Sequence, residues 1–287
     1  MSFTKILIFM LIQSMLLLSV NHTSCAQNNS IKKSGYAPIN GLSMYYETYG
    51  SGSTPLVLIH GGGSTIETSF GNLIPLLSKY GKIIAVELQA HGRTSDRDAA
   101  ESFEQDANDV AALLKHLKIK QANILGFSNG GTTTMQIAIR HPEIVNKIVV
   151  ISANYKRDGL LPGFFEGMQQ ATLDNMPKPL KTAFLKVTPD QKKLQNMFEK
   201  DKNRMLNFKD YADESLRSIA AKTLLIVAQH DVVTLEHSVQ MAKLIPDAQL
   251  VVLPGTHGSF IGEICSTESG SKIPEATAIL ITDFLKR

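Results

Sequence analysis

The sequence predicts an α/β protein, a mainly parallel sheet with helices on both faces. Three observations predict it. Apolar runs of strand length alternate with amphipathic stretches of helical period through most of the chain. Those runs are continuous rather than alternating, as expected of strands covered on both sides. One segment, 155–220, offers amphipathic pieces but no convincing strand, as expected of a helical insertion between two core strands.

The chain opens on a segment of another kind. "MSFTKILIFMLIQSMLLLSV" carries one early cation, Lys5, and then an apolar run from Ile6 to Val20 broken only by Gln13 and Ser14. The run is short for a membrane span, which needs about 20 residues. Ser24 and Ala26 form a small-x-small signal, so residues 1–26 read as a secretory signal peptide cleaved after Ala26. The alternatives are an uncleaved anchor and lipid attachment at Cys25; His22, three residues before it, ranks lipidation lower. Cleavage leaves Cys265 as the sole cysteine and hence no internal disulfide. The expected setting is a bacterial periplasm or the exterior, with no stable membrane insertion once the signal is gone. Residues 27–35 read as a loose polar leader.

Strands are expected at 43–50, 55–60, 82–88, 122–127, 147–152, 223–229 and 249–255. Between them, Ser102-x-x-Gln105 is a capping-box signature that opens a helix. In it Phe103, Ala107, Val110, Leu113, Leu114 and Leu117 share one face. Further helices are expected at 129–140, 235–245 and 273–286. The organisation is then a core of 27–154 and 221–287, with 155–220 as a cap. In the cap, Phe164, Phe165 and Met168 either wall an apolar pocket or anchor the cap to the core. Aromatics at such spacing are more often anchors.

Composition bounds the function. The 287 residues are 43% hydrophobic and 19% charged, enough for a sizeable core. Net charge is only +3, tryptophan is absent and aromatics are 7%, which speaks against a nucleic-acid partner.

The chemistry-bearing residues cluster at strand ends. Gly126-x-Ser128-x-Gly130 lies between an expected strand and an expected helix, the context of a nucleophile elbow. A serine there needs a strained backbone to stand clear of the sheet, and bulky neighbours two positions away would clash. Its hydroxyl also needs a base, and the base needs orienting. "LLIVAQHDVVT" supplies Asp231 and "LVVLPGTHGSF" supplies His257, each at the end of an expected strand on one edge of the sheet. Backbone amides for a developing oxyanion come from Asn129 and from "LIHGGGS", by Gly62 or Gly63. His60 is expected to shape that loop, and His230 to point away from Asp231. If Asp231 were not the acid, Glu236 and then Asp247 would be next. No histidine pair shows metal-ligand spacing, and this chemistry requires neither metal nor cofactor.

"LVLIHGGGS", "VELQAHGRTSD", "ILGFSNGG", "LLIVAQHDVVT" and "VVLPGTHG" together resemble the successive motifs of the α/β-hydrolase superfamily, in order along nearly the whole mature chain. The resemblance implies an eight-stranded, mainly parallel sheet, a helical cap after the sixth strand and cofactor-free hydrolysis. It gives "AHGRTSD" a structural role, so His91 is not expected to be catalytic. A serine nucleophile points away from the haloalkane dehalogenase and epoxide hydrolase branches. The chain is therefore expected to be a secreted serine hydrolase that cleaves small-molecule carboxylic esters or lactones through an acyl-enzyme. It resembles enol-lactonase and arylesterase-like members, with a macrolide-type cyclic ester as a further candidate. Rival expectations are a carbon–carbon bond hydrolase or cofactor-free haloperoxidase with the same triad, a ligand receptor on this fold, and a structural or surface-binding domain.

Overall fold

The computed structural model of the chain describes residues 33–287. The expected signal segment with Cys25, and leader residues 27–32, lie outside the described residues. The rest of the expected leader is not loose. Lys33–Gly35 open strand β1 (Lys33–Ile39), which pairs antiparallel with β2 (Leu42–Tyr49). Asn40 and Gly41 close this hairpin with φ of 47° and 83°. An Asn-Gly pair suits such a turn because both residues tolerate positive φ and the turn's twist matches the strands.

The sheet continues with β3 (Leu56–Ile59), β4 (Ile83–Val86), β5 (Ala122–Phe127), β6 (Val145–Ile151), β7 (Lys222–His230) and β8 (Ala248–Thr256). Its eight strands lie in the order β1-β2-β4-β3-β5-β6-β7-β8. β2 joins β4 antiparallel, and every pairing from β4 to β8 is parallel. In β3, Val57 and Ile59 face one apolar core while Leu58 faces the other, and all three are fully buried. That is why the central strands read as continuous apolar runs. Each such side chain withdrawn from water contributes about 1.5–3 kcal/mol.

Helices cover both faces. Two short ones, α1 (Ile66–Phe70) and α2 (Ile74–Leu77), follow β3 and have no counterpart among the expected elements. α3 (Phe103–His116) starts where the capping signature places it, with the Ser102 hydroxyl accepting from the Gln105 amide at 3.1 Å. The reciprocal half of the box is missing, because the Gln105 side chain donates to Asp109 instead. α4 (Asn129–Arg140) follows β5 directly. Between β6 and β7 come α5 (Phe164–Gln170), α6 (Lys178–Val187), α7 (Gln191–Leu206) and α8 (Asp213–Arg217). α9 (Leu235–Leu244) and α10 (Ile273–Lys286) complete the chain. Among the described residues no helix is long and apolar enough to cross a membrane.

The α5–α8 segment is pinched where it joins the core. The Tyr211 amide donates to the Tyr155 carbonyl at 2.8 Å. Leu161 and Thr234 donate to Val232 and Gly159, each at 2.9 Å, which ties this neck to the loop after β7. His237 stacks on Tyr155, with ring centroids 4.6 Å apart, and accepts from the Tyr155 amide at 3.2 Å.

Candidate active site

Parallel strands deliver their C-terminal ends to one edge of the sheet, and open α/β sheets build their sites there. β3 leads into the glycine loop, β5 into Ser128, β7 into Asp231 and β8 into His257. Ser128 has φ 54° and ψ −122°, a conformation that costs a non-glycine residue about 1–3 kcal/mol. Its neighbours explain how that conformation is enforced. A Cβ on Gly126 would overlap the Gly130 carbonyl, one on Gly130 would overlap the Ile59 carbonyl, and one on Gly131 would lie 2.6 Å from the Ala153 Cβ. The strand, the turn and helix α4 therefore pack backbone to backbone, and the chain can turn only with the serine held outward.

The His257 Nε2 lies 3.1 Å from the Ser128 Oγ, and its Nδ1 lies 2.7 Å from the Asp231 Oδ1. The Phe127 ring backs the imidazole with its centroid 4.8 Å away. Asp231 is buried and also accepts from the Ser152 hydroxyl at 2.5 Å, the Ala228 amide at 3.1 Å and the Val233 amide at 3.3 Å. Burial works to raise the Asp231 pKa. The hydrogen bonds and charge of His257, with the bonds from Ser152 and Ala228, outweigh it and hold the carboxyl below its ordinary range. An ionised Asp231 fixes the proton on His257 Nδ1 and leaves Nε2 free to accept from the serine. Glu236 and Asp247 are exposed and play no part in this chain of bonds.

The glycine loop completes the site. Gly62 and Gly63 line the same cavity as Ser128 and Asn129. The Gly61 amide donates to Ser69, whereas those of Gly62, Gly63 and Asn129 have no acceptor among the described residues. His60 is buried below the loop. Its Nδ1 bonds the Gly61 carbonyl at 2.8 Å, and its Nε2 accepts from the Leu88 amide at 3.0 Å. Burial pushes its pKa down to about 3, so it is a neutral brace. His230 is exposed, outside the site.

The cavity over Ser128 measures about 290 Å³. Phe164 and Met168 line it, together with Met176, Leu180 and Phe198. Phe165 does not. Its ring lies under the Arg157 guanidinium, 3.5 Å from the centroid, edge-on to Phe164 and packed against the core, so of the two readings offered for these residues Phe165 takes the anchor and not the cavity wall. Successive helical residues point about 100° apart, and here the two rings turn to different neighbours. A larger groove of about 780 Å³, between α6 and Arg93, does not reach Ser128.

Sequence reasoning missed what lies behind Asn129. Its side-chain amide donates to the Asp201 Oδ1 of α7 at 3.1 Å. Asp201 pairs with Arg204, which also bonds Asp106 at 2.6 Å and lies 3.7 Å from Glu101. His91 completes the cluster, with its Nε2 3.9 Å from the Asp201 Oδ2. Burial tends to lower the His91 pKa, but Asp201 and Glu101 override it and push it up to about 9. It is buried and unable to reach Ser128's partners, in keeping with a structural role. Asp201-x-x-Arg204 is an i,i+3 pair of the kind that also decorates exposed helices, and no local signal shows that it turns inward.

The fold is one that known proteins share. Residues 54–184 match the family model described as alpha/beta hydrolase fold. The serine hydrolase BPHL of Homo sapiens is 35% identical over 122 residues, 40% of this chain and 41% of that protein. The chain thus aligns with about two-fifths of that relative's length. In solved structures the same fold recurs in a meta-cleavage product hydrolase from Pseudomonas fluorescens. It has a TM-score of 0.72 and 22% identity, over 89% of this chain and 98% of the other. It recurs also in the enol-lactonase from Burkholderia xenovorans, with a TM-score of 0.68 and 20% identity, over 88% and 100%. With its eight-stranded sheet, its motifs in order and this match over residues 54–184, the chain has the α/β-hydrolase fold.

Proposed function

We propose that the protein is a serine hydrolase acting on carboxylic esters or lactones. The observation that carries this reading is the continuous hydrogen-bonded chain from Ser128 through His257 to Asp231, with the serine held outward by its positive φ. Ser128 Oγ attacks the substrate carbonyl as His257 Nε2 takes its proton. Asp231 stabilises the imidazolium without taking the proton itself. The amides of Asn129 and of Gly62 or Gly63 receive the oxyanion. Collapse expels the alcohol, which takes the proton from His257, and leaves an acyl-Ser128 ester. Water, deprotonated by His257, then releases the acid. In a lactone the leaving alcohol stays joined to the acyl group and departs with it.

The cavity, at the low end of the range for small-molecule sites, favours short acyl groups or small lactone rings over a macrolide-type ring. Segment 155–220 acts as the cap that selects them. On the sequence of residues 1–26 the protein is exported, and mass analysis of the mature N-terminus tests that assignment. A panel of esters and lactones graded by acyl and ring size tests the activity, alongside fluorophosphonate labelling of Ser128. Turnover of vinylogous diketones without esters would mark a carbon–carbon bond hydrolase instead. Absence of labelling at Ser128 would leave a binding role.

A further inference from the structure

The carboxylate of Asp201 is shared unequally. Its Oδ1 takes the bonds from Asn129 and Arg204. Its Oδ2 has no hydrogen-bond donor within 3.5 Å among the described residues, the His91 Nε2 lying 3.9 Å from it. This free oxygen belongs to a side chain that lines the cavity with Ser128 and retains 13% exposure there. It also stands beside the glycine loop, where a Cβ on Gly62 would lie 2.5 Å from it. The cations that balance Asp201 stand behind it. The Arg204 side chain is 2% exposed and that of His91 is wholly buried. Between them they hold Asp201 well below the usual carboxylate range despite its burial. The other charged group on the cavity, Lys202, has its ammonium committed to the Ala171 carbonyl at 2.6 Å. The cavity therefore shows substrate an ionised acceptor on an otherwise largely apolar wall.

We propose that Asp201 determines specificity. Its free Oδ2 accepts a hydrogen bond from a hydroxyl or ammonium group on the acyl part of the substrate, and its charge excludes acyl groups that end in a carboxylate. An unmet acceptor in a partly desolvated cavity favours substrates that bring a donor, because a substrate without one leaves the oxygen both dehydrated and unpaired. A carboxylate brought near it adds like-charge repulsion in a medium far less screening than water. The proposal rests on the hydrolase reading and names the substrate class within it.

The test compares kcat/KM for matched methyl esters whose acyl chains end in methyl, hydroxyl, ammonium or carboxylate. The wild type is expected to prefer ammonium over carboxylate by at least about tenfold. Asp201→Asn should bring that ratio to within about threefold, and any general loss of activity cancels in the ratio. A wild-type ratio near one, a ratio unchanged in Asp201→Asn, or one that follows Lys202→Ala instead would overturn the proposal. Should Asp201→Asn fail to fold, protection of wild-type Ser128 from fluorophosphonate decides. 4-Amino-1-butanol should protect, and equal or better protection by butyrate would overturn the assignment. Labelling of Ser128 without any charge preference sinks this proposal alone, whereas no labelling sinks the hydrolase reading together with it.

Discussion

The turn around Ser128 and the α5–α8 segment above it are held in place by opposite means. The turn is fixed by backbone against backbone, with Gly126, Gly130 and Gly131 each leaving no room for a methyl group. The segment above is fixed from afar, by Arg204 reaching Asp106, Glu101 and Asp201 in the interior. The Glu101 oxygens and the His91 Nε2 in that cluster lack hydrogen-bond partners among the described residues. The first region is rigid by steric exclusion and local in sequence. The second depends on a balance of buried charge and is spread over a hundred residues. Damage to the first should therefore appear as lost chemistry in a folded protein, and damage to the second as lost stability.

The largest expected effect tests the first half of that contrast. Ser128→Ala should lower kcat by roughly 10⁴–10⁶-fold, with an unchanged circular dichroism spectrum and unfolding midpoint. Asp231→Asn should cost on the order of 10⁴-fold by supplying the wrong tautomer of His257. Near-full activity in that variant would remove Asp231 from its role. The second half is tested by Arg204→Ala, which strands Asp106, Glu101 and Asp201 together. A loss of about 3–5 kcal/mol in urea unfolding is expected, and a loss under 1 kcal/mol would show that the charges are not what holds α7 down.

The neck adds a pH-dependent test. Burial pushes the His237 pKa down to about 4. Its contribution is present above the unfolded value of about 6.5 and is lost as pH falls toward the folded value, since only the unfolded chain binds the proton in that window. The loss is roughly 3 kcal/mol. His60 acts in the same direction over the same range. Urea midpoints between pH 7.5 and 4.5 should fall for the wild type and fall less for His237→Gln. The smallest effect separates two adjacent rings. Phe164→Ala should raise KM for short esters several-fold. Phe165→Ala should leave KM alone and cost about 1 kcal/mol of stability, through its contact with Arg157. A KM change in Phe165→Ala would return that residue to the cavity wall.

Much of the candidate site is legible in the sequence because its parts sit at strand ends, and a parallel sheet brings those ends together whatever lies between. Ser128, Asp231 and His257 can be named from apolar runs that stop at glycine or a polar residue. β1 does not read as a strand, although Asn40-Gly41 marks its hairpin; its mostly exposed side chains carry no apolar run. The inward turn of Asp201 is not legible at all, and which of Phe164 and Phe165 lines the cavity is not legible either. Both depend on how a helix is rotated against its neighbour, and packing between distant segments decides that.

The bond from Tyr211 to Tyr155 has one more consequence. A segment of more than fifty residues leaves the sheet and returns to it at a single point, so its closure entropy is settled at the neck and grows only slowly with what is added beyond. Residues added between the two tyrosines would therefore cost little closure entropy, while the strand ends that carry Ser128, Asp231 and His257 keep their places.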